Sequence, residues 1–427
     1  MANRVVVTGL GVVAPNGAGI SQFTTSLKQG KSGIQHLPLL EDLNFSCQIA
    51  GIPTLPSTLI ANYFNDLELR NFNSSGITYG VIAGMEAWND AGLPISPAEA
   101  PDWESGTIFG TGTSGIDKFR EAIYKVDQLN ARRIGSTVVI QTMNSGVSAY
   151  LGGKLGLGNQ VSTNSAACST GVESILMCYE KIKSGQALRM LAGSTSDSGP
   201  YIWAGFDAMK VCTFKHNHSP TTGSRPMSAT ASGFVPGSGA GALVLENLRT
   251  AQERGAYIYA EVLGGHINSG GQRGGGTMTA PNHTAVQQCI KRALQNAGVN
   301  SRELDVINGH LTATMMDSTE LKNWSTALDR KGQDFPYINT LKGMTGHCLS
   351  AAGSIECVAS VLQINEDFLF PNVNCEDLNP EIEACVASDK IPQQCLPMEI
   401  NLLAKASFGF GDVNACLLLK KYNHDEN

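Results

Sequence analysis

The chain has 427 residues, 42% hydrophobic and 16% charged, with 47 glycines against a usual glycine share of about 7%. That is the composition of a globular α/β enzyme with many tight turns, as one large or two coupled domains. The formal net charge of −7 and pI of 5.7 exclude the basic surface of a nucleic-acid binder. Residues 1–9 read directly as a buried strand. The apolar stretch ends at Pro15, too soon for a signal or membrane segment. Strands are predicted over 4–8, 106–110, 188–193, 241–245, 305–308, 335–339 and 414–419. Helices are predicted over 20–29, 76–91, 117–127, 142–155, 170–184, 283–297, 316–328 and 352–364. This alternation predicts an α/β fold with buried sheets. Residues 4–13 and 258–268 each open a half with a strand running into glycines, a hint of duplication. Residues 423–427 are expected to be a frayed polar tail.

Two motifs are weighed and set aside. Gly9-Leu10-Gly11 follows a strand like a dinucleotide-binding turn. Pro15 breaks the helix that should receive the pyrophosphate, and the first downstream acid, Glu41, lies too far on for a ribose ligand. A structural glycine turn is expected instead. Cys375, Cys385 and Cys395 recur every ten residues, but no histidine joins them at metal-ligand spacing. Eleven cysteines without CxxC pairs fit free thiols in a reducing, cytoplasmic compartment.

Cys168 sits in Ser165-Ala166-Ala167-Cys168-Ser169-Thr170-Gly171, a run of small residues. Val172, Ile175, Leu176 and Tyr179 follow at helical spacing, so Cys168 is expected at a helix N-terminus, where free N–H groups favour a thiolate. Small neighbours leave room for a substrate, which points to a nucleophile rather than an inert buried cysteine. His310 in Asn308-Gly309-His310-Leu311-Thr312-Ala313-Thr314 and His347 in Lys342-Gly343-Met344-Thr345-Gly346-His347 each follow a predicted strand. The carboxyl ends of strands are where α/β folds place their chemistry. Lys342 is expected to neutralise Glu320 or to order the imidazole of His347.

These residues resemble the elongating β-ketoacyl-acyl carrier protein synthases of the thiolase superfamily, with a Cys-His-His triad. The resemblance runs from residue 4 to about 421. Arg4 to Val13 resembles the family's first strand, and Gly30-Lys31-Ser32-Gly33-Ile34 its early loop. Gly106 to Gly112 resembles the strand leading to the acyl pocket, and Ala166 to Gly171 the nucleophile motif. Ser224-Arg225-Pro226, Gly233-Phe234-Val235, Gly239-Ala240-Gly241, Ala351-Ala352-Gly353 and Ser407-Phe408-Gly409-Phe410-Gly411 complete it. The departures are Leu311 and Ala313 in a Gly-Thr-Ser-Thr motif, a loop to Glu320 one residue shorter, Ser238 in Gly-Glu-Gly-Ala-Gly, and Asp412 and Val413 in the gating loop.

The resemblance implies a duplicated, five-layer αβαβα fold. Residues 1–257 would form the half with the nucleophile, residues 258–422 the half with both histidines, and residues 423–427 the tail. It implies that Cys168 holds an acyl chain as a thioester while malonyl-carrier protein is decarboxylated, and that the resulting enolate attacks to give a β-ketoacyl carrier. The N–H groups of Cys168 and Phe410 would form the oxyanion hole. His310 and His347 would donate to the enolate, each contributing about 3 kcal/mol by analogy with one oxyanion-hole donor. Glu320, Thr312 and Thr314 would support them. Thr113, Phe234 and Phe410 would line or gate the acyl pocket. A buried hydroxyl at Thr113 would suit an unsaturated, aromatic or oxygenated chain. Arg70, Arg133 and Lys210 would dock an acidic acyl carrier protein. No metal, nucleotide or flavin is implied, and no membrane. A homodimer is expected, with a heterodimer of ketosynthase and chain-length factor as an alternative. A homologue that only transfers acyl groups or decarboxylates is the other.

Overall fold

A computed structural model describes residues 3–97 and 99–423. Residues 424–427 of the expected tail lie outside the described residues. One large mixed sheet organises the chain. Its strands are β1 (Val5–Ala14), β2 (Ser105–Thr111), β3 (Val161–Ser162), β4 (Arg189–Ser196), β5 (Gly239–Asn247), β6 (Ala260–Ser269), β7 (Val306–Asn308), β8 (Tyr337–Asn339), β9 (Leu402–Gly409) and β10 (Val413–Lys420), and the short strand Gly17–Ala18 pairs with β1. The order is β8-β7-β9-β10-β6-β1-β5-β4-β2-β3.

That order is a repeat. From the centre outward, β1-β5-β4-β2-β3 makes two antiparallel and then two parallel pairings. β6-β10-β9-β7-β8 makes the same series. β1 and β6 pair antiparallel at the seam. The helices fall into three layers around these two half-sheets. On one outer face lie α1 (Ser75–Asp90) and α2 (Gly146–Leu155); on the other lie α4 (His283–Ala297) and α5 (Met316–Leu328). Between the half-sheets lie α3 (Thr170–Lys183) and α6 (Ala352–Asn365). The result is the five-layer αβαβα arrangement.

Burial explains the layers. From Ala352 to Ile364, α6 is buried on every side, as a helix enclosed between two sheets must be. In contrast, α4 alternates a buried face, including Val286, Cys289, Ile290 and Ala293, with a polar one. The two central helices meet at glycines. A Cβ on Gly171 would run into the Ser354 backbone nitrogen and lie 2.7 Å from Ser194 Oγ, and one on Gly353 would lie 2.9 Å from Val172 N. Beside this contact the hydroxyl of Ser194, on β4, bonds to that of Ser354, on α6, at 2.7 Å.

Three sequence expectations are corrected. Gly9 and Gly11 form no turn. They lie inside β1, where a Cβ at either would meet the backbone carbonyls of Ala87 and Ala83 on α1, so their purpose is close helix–sheet approach. The predicted helix 142–155 is broken into Val138–Thr142 and α2 by Met143, whose backbone is extended, ahead of the poor helix formers Asn144 and Ser145. Finally, β9 was not expected as a strand: alanines and a lysine interrupt its apolar run.

Gly171→Ala should therefore destabilise the fold by about 3 kcal/mol through overpacking against backbone that cannot yield, read as a lowered urea midpoint. Unchanged stability would mean that the central helices separate without cost.

Candidate active site

Cys168 lies in a single 3-10 turn, Ala167–Ser169, that runs directly into α3. Ala167 is held at φ +47°, in the left-handed region that a residue with a Cβ disfavours. This sharp entry presents the sulfur to a cavity of about 200 Å³ lined by His310, His347, Phe234, Phe408 and Phe410. The ligating atoms of Cys168, His310 and His347 all lie within 4.8 Å of one another.

His347 follows β8 and the short helix Lys342–Thr345. Its N–H bonds to the Val235 carbonyl at 2.7 Å and its carbonyl accepts from Gly237 N at 2.9 Å. The Leu349 N–H donates to His347 Nδ1 at 3.3 Å, which assigns the ring proton to Nε2. His347 Nε2–H then donates to Cys168 Sγ at 3.0 Å. Its ring meets Phe234 edge-on at 5.4 Å and His310 at 5.3 Å. Burial, and then the charges of Lys342 and Lys405, hold the His347 pKa well below the ordinary histidine value. His310 is depressed in the same direction by burial, Lys342, His347 and Lys405. Both rings are neutral donors at pH 7.

Cys168 does not rest as the thiolate expected from its helix-start position. Burial pushes its pKa up to about 11, and this outweighs the lowering by Lys342 and by the N–H groups of Phe410 and Cys168 that face the sulfur. Those two N–H groups are the donors proposed for the oxyanion hole. Phe410 stands in the turn between β9 and β10, its ring 6.1 Å from that of Phe206.

Glu320, on α5, accepts from His310 N at 2.7 Å and Leu311 N at 2.8 Å, and burial raises its pKa to about 7. Thr312 and Thr314 bond to each other through their hydroxyls at 3.0 Å and line the cavity. The expected neutralisation of Glu320 by Lys342 acts at a distance and not by contact. Lys342 Nζ pairs instead with Glu356 Oε1 on α6 at 2.5 Å, while Glu356 Oε2 lies 2.8 Å from Lys405 Nζ. A buried carboxylate needs cationic partners at contact distance, and Glu320 is already satisfied by backbone.

Sequence reasoning missed Glu356, Lys405 and Asp317. The first two had a readable signal: each is the lone charge in an apolar element, α6 and the start of β9 respectively. Asp317 accepts from Thr312 N at 2.8 Å, Ala313 N at 3.1 Å and Met227 N at 2.9 Å. It thereby fixes the departing loop, in which Leu311 (φ +22°) and Ala313 (φ +64°) occupy left-handed backbone.

Thr113 is not brought to this cavity. It is exposed on the single chain, so its hydroxyl is not the buried group expected, and its carbonyl accepts from Thr111 Oγ1 at 2.6 Å. Arg70, Arg133 and Lys210 are all exposed. Lys210 precedes Val211, which lines the cavity.

Against known proteins, residues 2–251 match the Beta-ketoacyl synthase N-terminal domain and residues 259–376 its C-terminal domain. The chain belongs to the beta-ketoacyl synthase family. It is 31% identical to 3-oxoacyl-[acyl-carrier-protein] synthase 2 of Vibrio harveyi over 98% of both chains. It is 32% identical to synthase 1 of Escherichia coli strain K12, over 98% of this chain and 99% of that one. A beta-ketoacyl synthase from Burkholderia phymatum superposes with a TM-score of 0.88 at 25% identity, covering 99% of this chain and 100% of that one. The ishigamide ketosynthase/chain length factor does so at 0.87 and 25% over the same shares.

The Asp412 departure has a local purpose. Its buried carboxylate accepts from Asn282 N at 2.9 Å and Gln272 N at 3.0 Å, and the neighbouring Gly411 N donates to Met278 O at 2.8 Å. The Phe410 turn is thereby tied to the loop that carries Thr279 and Pro281 into the cavity wall. Asp412→Gly should keep the turn, which requires φ +60° there, but release that loop. Amide exchange at Gln272 and Asn282 should accelerate at least about tenfold, the equivalent of one lost hydrogen bond. Exchange as slow as in the parent would show that the carboxylate holds nothing.

Proposed function

We propose that this chain catalyses decarboxylative Claisen condensation between an acyl group held on Cys168 and malonyl-acyl carrier protein. The carrying observation is the convergence of Cys168, His310 and His347 within 4.8 Å at an apolar cavity. The thiol attacks the acyl thioester, its proton leaves with the carrier thiol, and the N–H groups of Cys168 and Phe410 hold the oxyanion. Malonyl-carrier then occupies the cavity and loses carbon dioxide. The enolate oxygen accepts from His310 and His347, whose neutral state spares them the loss of a proton to it. The enolate carbon attacks the acyl carbon, and the Cys168 sulfur departs with the electron pair. The cavity is closed by Phe234 and gated by Phe410. Residues 1–257 and 258–422 contribute nucleophile and donors respectively.

The partners follow from surfaces and relatives. Several similar proteins are named 3-oxoacyl-[acyl-carrier-protein] synthases, and a ketosynthase in complex with its acyl-carrier protein superposes at a TM-score of 0.86 with 26% identity. An acidic carrier docking on Arg70, Arg133 and Lys210 fits this reading. Phe119, Ile123, Leu129 and Val139 are exposed on the helical segments 116–142, an apolar surface of the kind that dimers cover. We assign a homodimer to it. The similarity to ketosynthase/chain length factor pairs keeps a heterodimer as the second reading, with this cysteine-bearing chain as the active subunit. A role for Thr113 along the acyl chain then depends on dimer closure. Among the described residues no helix is long and apolar enough to cross a membrane, and cytoplasmic location is part of the proposal.

Cys168→Ala should abolish both acyl loading, read by mass spectrometry, and condensation. His310→Ala and His347→Ala should retain loading while condensation falls about 10²-fold or more, the cost of one transition-state donor. Cys168→Gln should keep releasing carbon dioxide from malonyl-carrier. Equal loss of both steps in the histidine variants would contradict the division of labour. A chain that releases carbon dioxide but never elongates would favour the decarboxylase alternative.

For the surfaces, the chain alone should sediment as a dimer. Carrier-dependent turnover should fall with ionic strength and with charge reversal at Arg70, Arg133 and Lys210. Turnover indifferent to both would remove this docking patch.

A further inference from the structure

Beside the triad lies a second buried charge group that the mechanism above leaves without a task. Lys342, Glu356 and Lys405 are 1%, 2% and 0% exposed. Lys342 Nζ contacts Glu356 Oε1 at 2.5 Å, and Lys405 Nζ stands 2.8 Å from Oε2. The hydrogen bond of Lys405 goes to the Ala406 carbonyl, so its contact with Glu356 is ionic. Two cations share one anion inside the protein. An isolated pair would be neutral; with both lysines protonated this trio carries one uncompensated positive charge. Burying that excess is costly, and a hydrophobic residue at 405 would match its neighbours on β9.

We propose that Lys405 is a positioning residue of the condensation: by adding a second cation to the one carboxylate that Lys342 already holds, it leaves the buried trio with one excess positive charge beside His310 and His347. Lys405 lies on β9, three residues before Phe408, whose ring faces His310 at 6.3 Å. The charged and titratable groups around the trio are His310, His347, Cys168, Glu320 and the buried thiols Cys348, Cys357 and Cys416. Both imidazoles feel Lys342 and Lys405 in the direction that disfavours the imidazolium. The tautomer explains why this matters. A proton added at His347 Nδ1 would oppose the Leu349 N–H that now donates to it. It would thereby turn the ring whose Nε2–H faces Cys168 and, in the reaction, the enolate. The excess charge keeps both rings in donor form as pH falls.

This rests on the histidines serving the malonyl step as proposed above, and the test separates the two. Removing a positive charge makes the rings easier to protonate. In Lys405→Met the imidazole titrations of His310 and His347, followed by NMR on histidine-labelled protein, should move to higher pH by on the order of one unit. The acid limb of condensation should move with them. Adding Glu356→Gln to Lys405→Met removes one charge of each sign and restores the net excess, so both readings should return toward the parent. A purely structural lysine would give no such reversal. Unmoved imidazole titrations in Lys405→Met, or no return in the double variant, would overturn the proposal. Moved titrations with an unmoved acid limb would leave the field of Lys405 standing and overturn the histidine roles instead. Should Lys405→Met fail to fold, the double variant is read against the parent, and a titration displaced by a full unit there would sink the idea.

Discussion

The active site depends on one contact: the crossing of α3 and α6 at Gly171 and Gly353. Cys168 sits three residues before the first glycine and His347 six before the second. The two helices belong to different halves of the repeat, and each carries its catalytic side chain at its entry. With a Cβ at either crossing point the backbones could not close, and the 3.0 Å contact between His347 Nε2 and Cys168 Sγ would open. Beside the crossing, the serine pair at 194 and 354 ties α6 to β4 with a hydrogen bond rather than with bulk. Small residues in these motifs therefore answer to helix packing as much as to substrate access.

Burial is the second constraint, and it acts on every titratable group in the cavity. It raises Cys168, Glu320 and Asp317 and lowers His310, His347 and Lys342. In each case desolvation leads the other causes. The helix N-terminus and Lys342 pull the thiol in the opposite sense but do not win. The expectation of a resting thiolate failed because it weighed the helix dipole, worth about 1 kcal/mol at exposed termini, without the cost of burying a charge, which reaches several units of pKa.

How much was legible follows from the same physics. Helices 283–297 and 316–328 were readable to the residue because their buried faces repeat at helical spacing. The triad was readable because small residues and glycines mark where backbone must come close. Strand β9 was not, since its pairing with β7 and β10 is a tertiary fact that alanine and lysine do not announce. Nor was the partner of Lys342. The chain offers Glu320 before Lys342 and Glu356 after it, and only the fold decides that Glu320 turns to the backbone of His310 and Leu311 while α6 delivers Glu356 to the lysines. The exposure of Thr113 on the single chain was not legible for a related reason: proximity in motif order to the acyl-pocket strand does not fix which way the next loop faces.

The departures from the family pattern share a location. Leu311, Ala313 and Asp412 all occupy left-handed backbone where glycine would sit without strain. Each is compensated nearby: Asp317 gathers the N–H groups of the 311–314 loop, and the Asp412 side chain gathers those of the 270–282 loop. Gly270 and Gly276 leave the room that the Asp412 carboxylate fills, since a Cβ at Gly276 would lie 2.6 Å from Oδ2. At 311 and 412, where the family pattern has glycine, a residue with a side chain removes conformational freedom from the unfolded chain, and the carboxylates of Asp317 and Asp412 anchor the result. The chemistry-bearing groups are untouched by these changes, which fall in the loops that carry Thr312, Thr314 and Phe410 into the cavity wall.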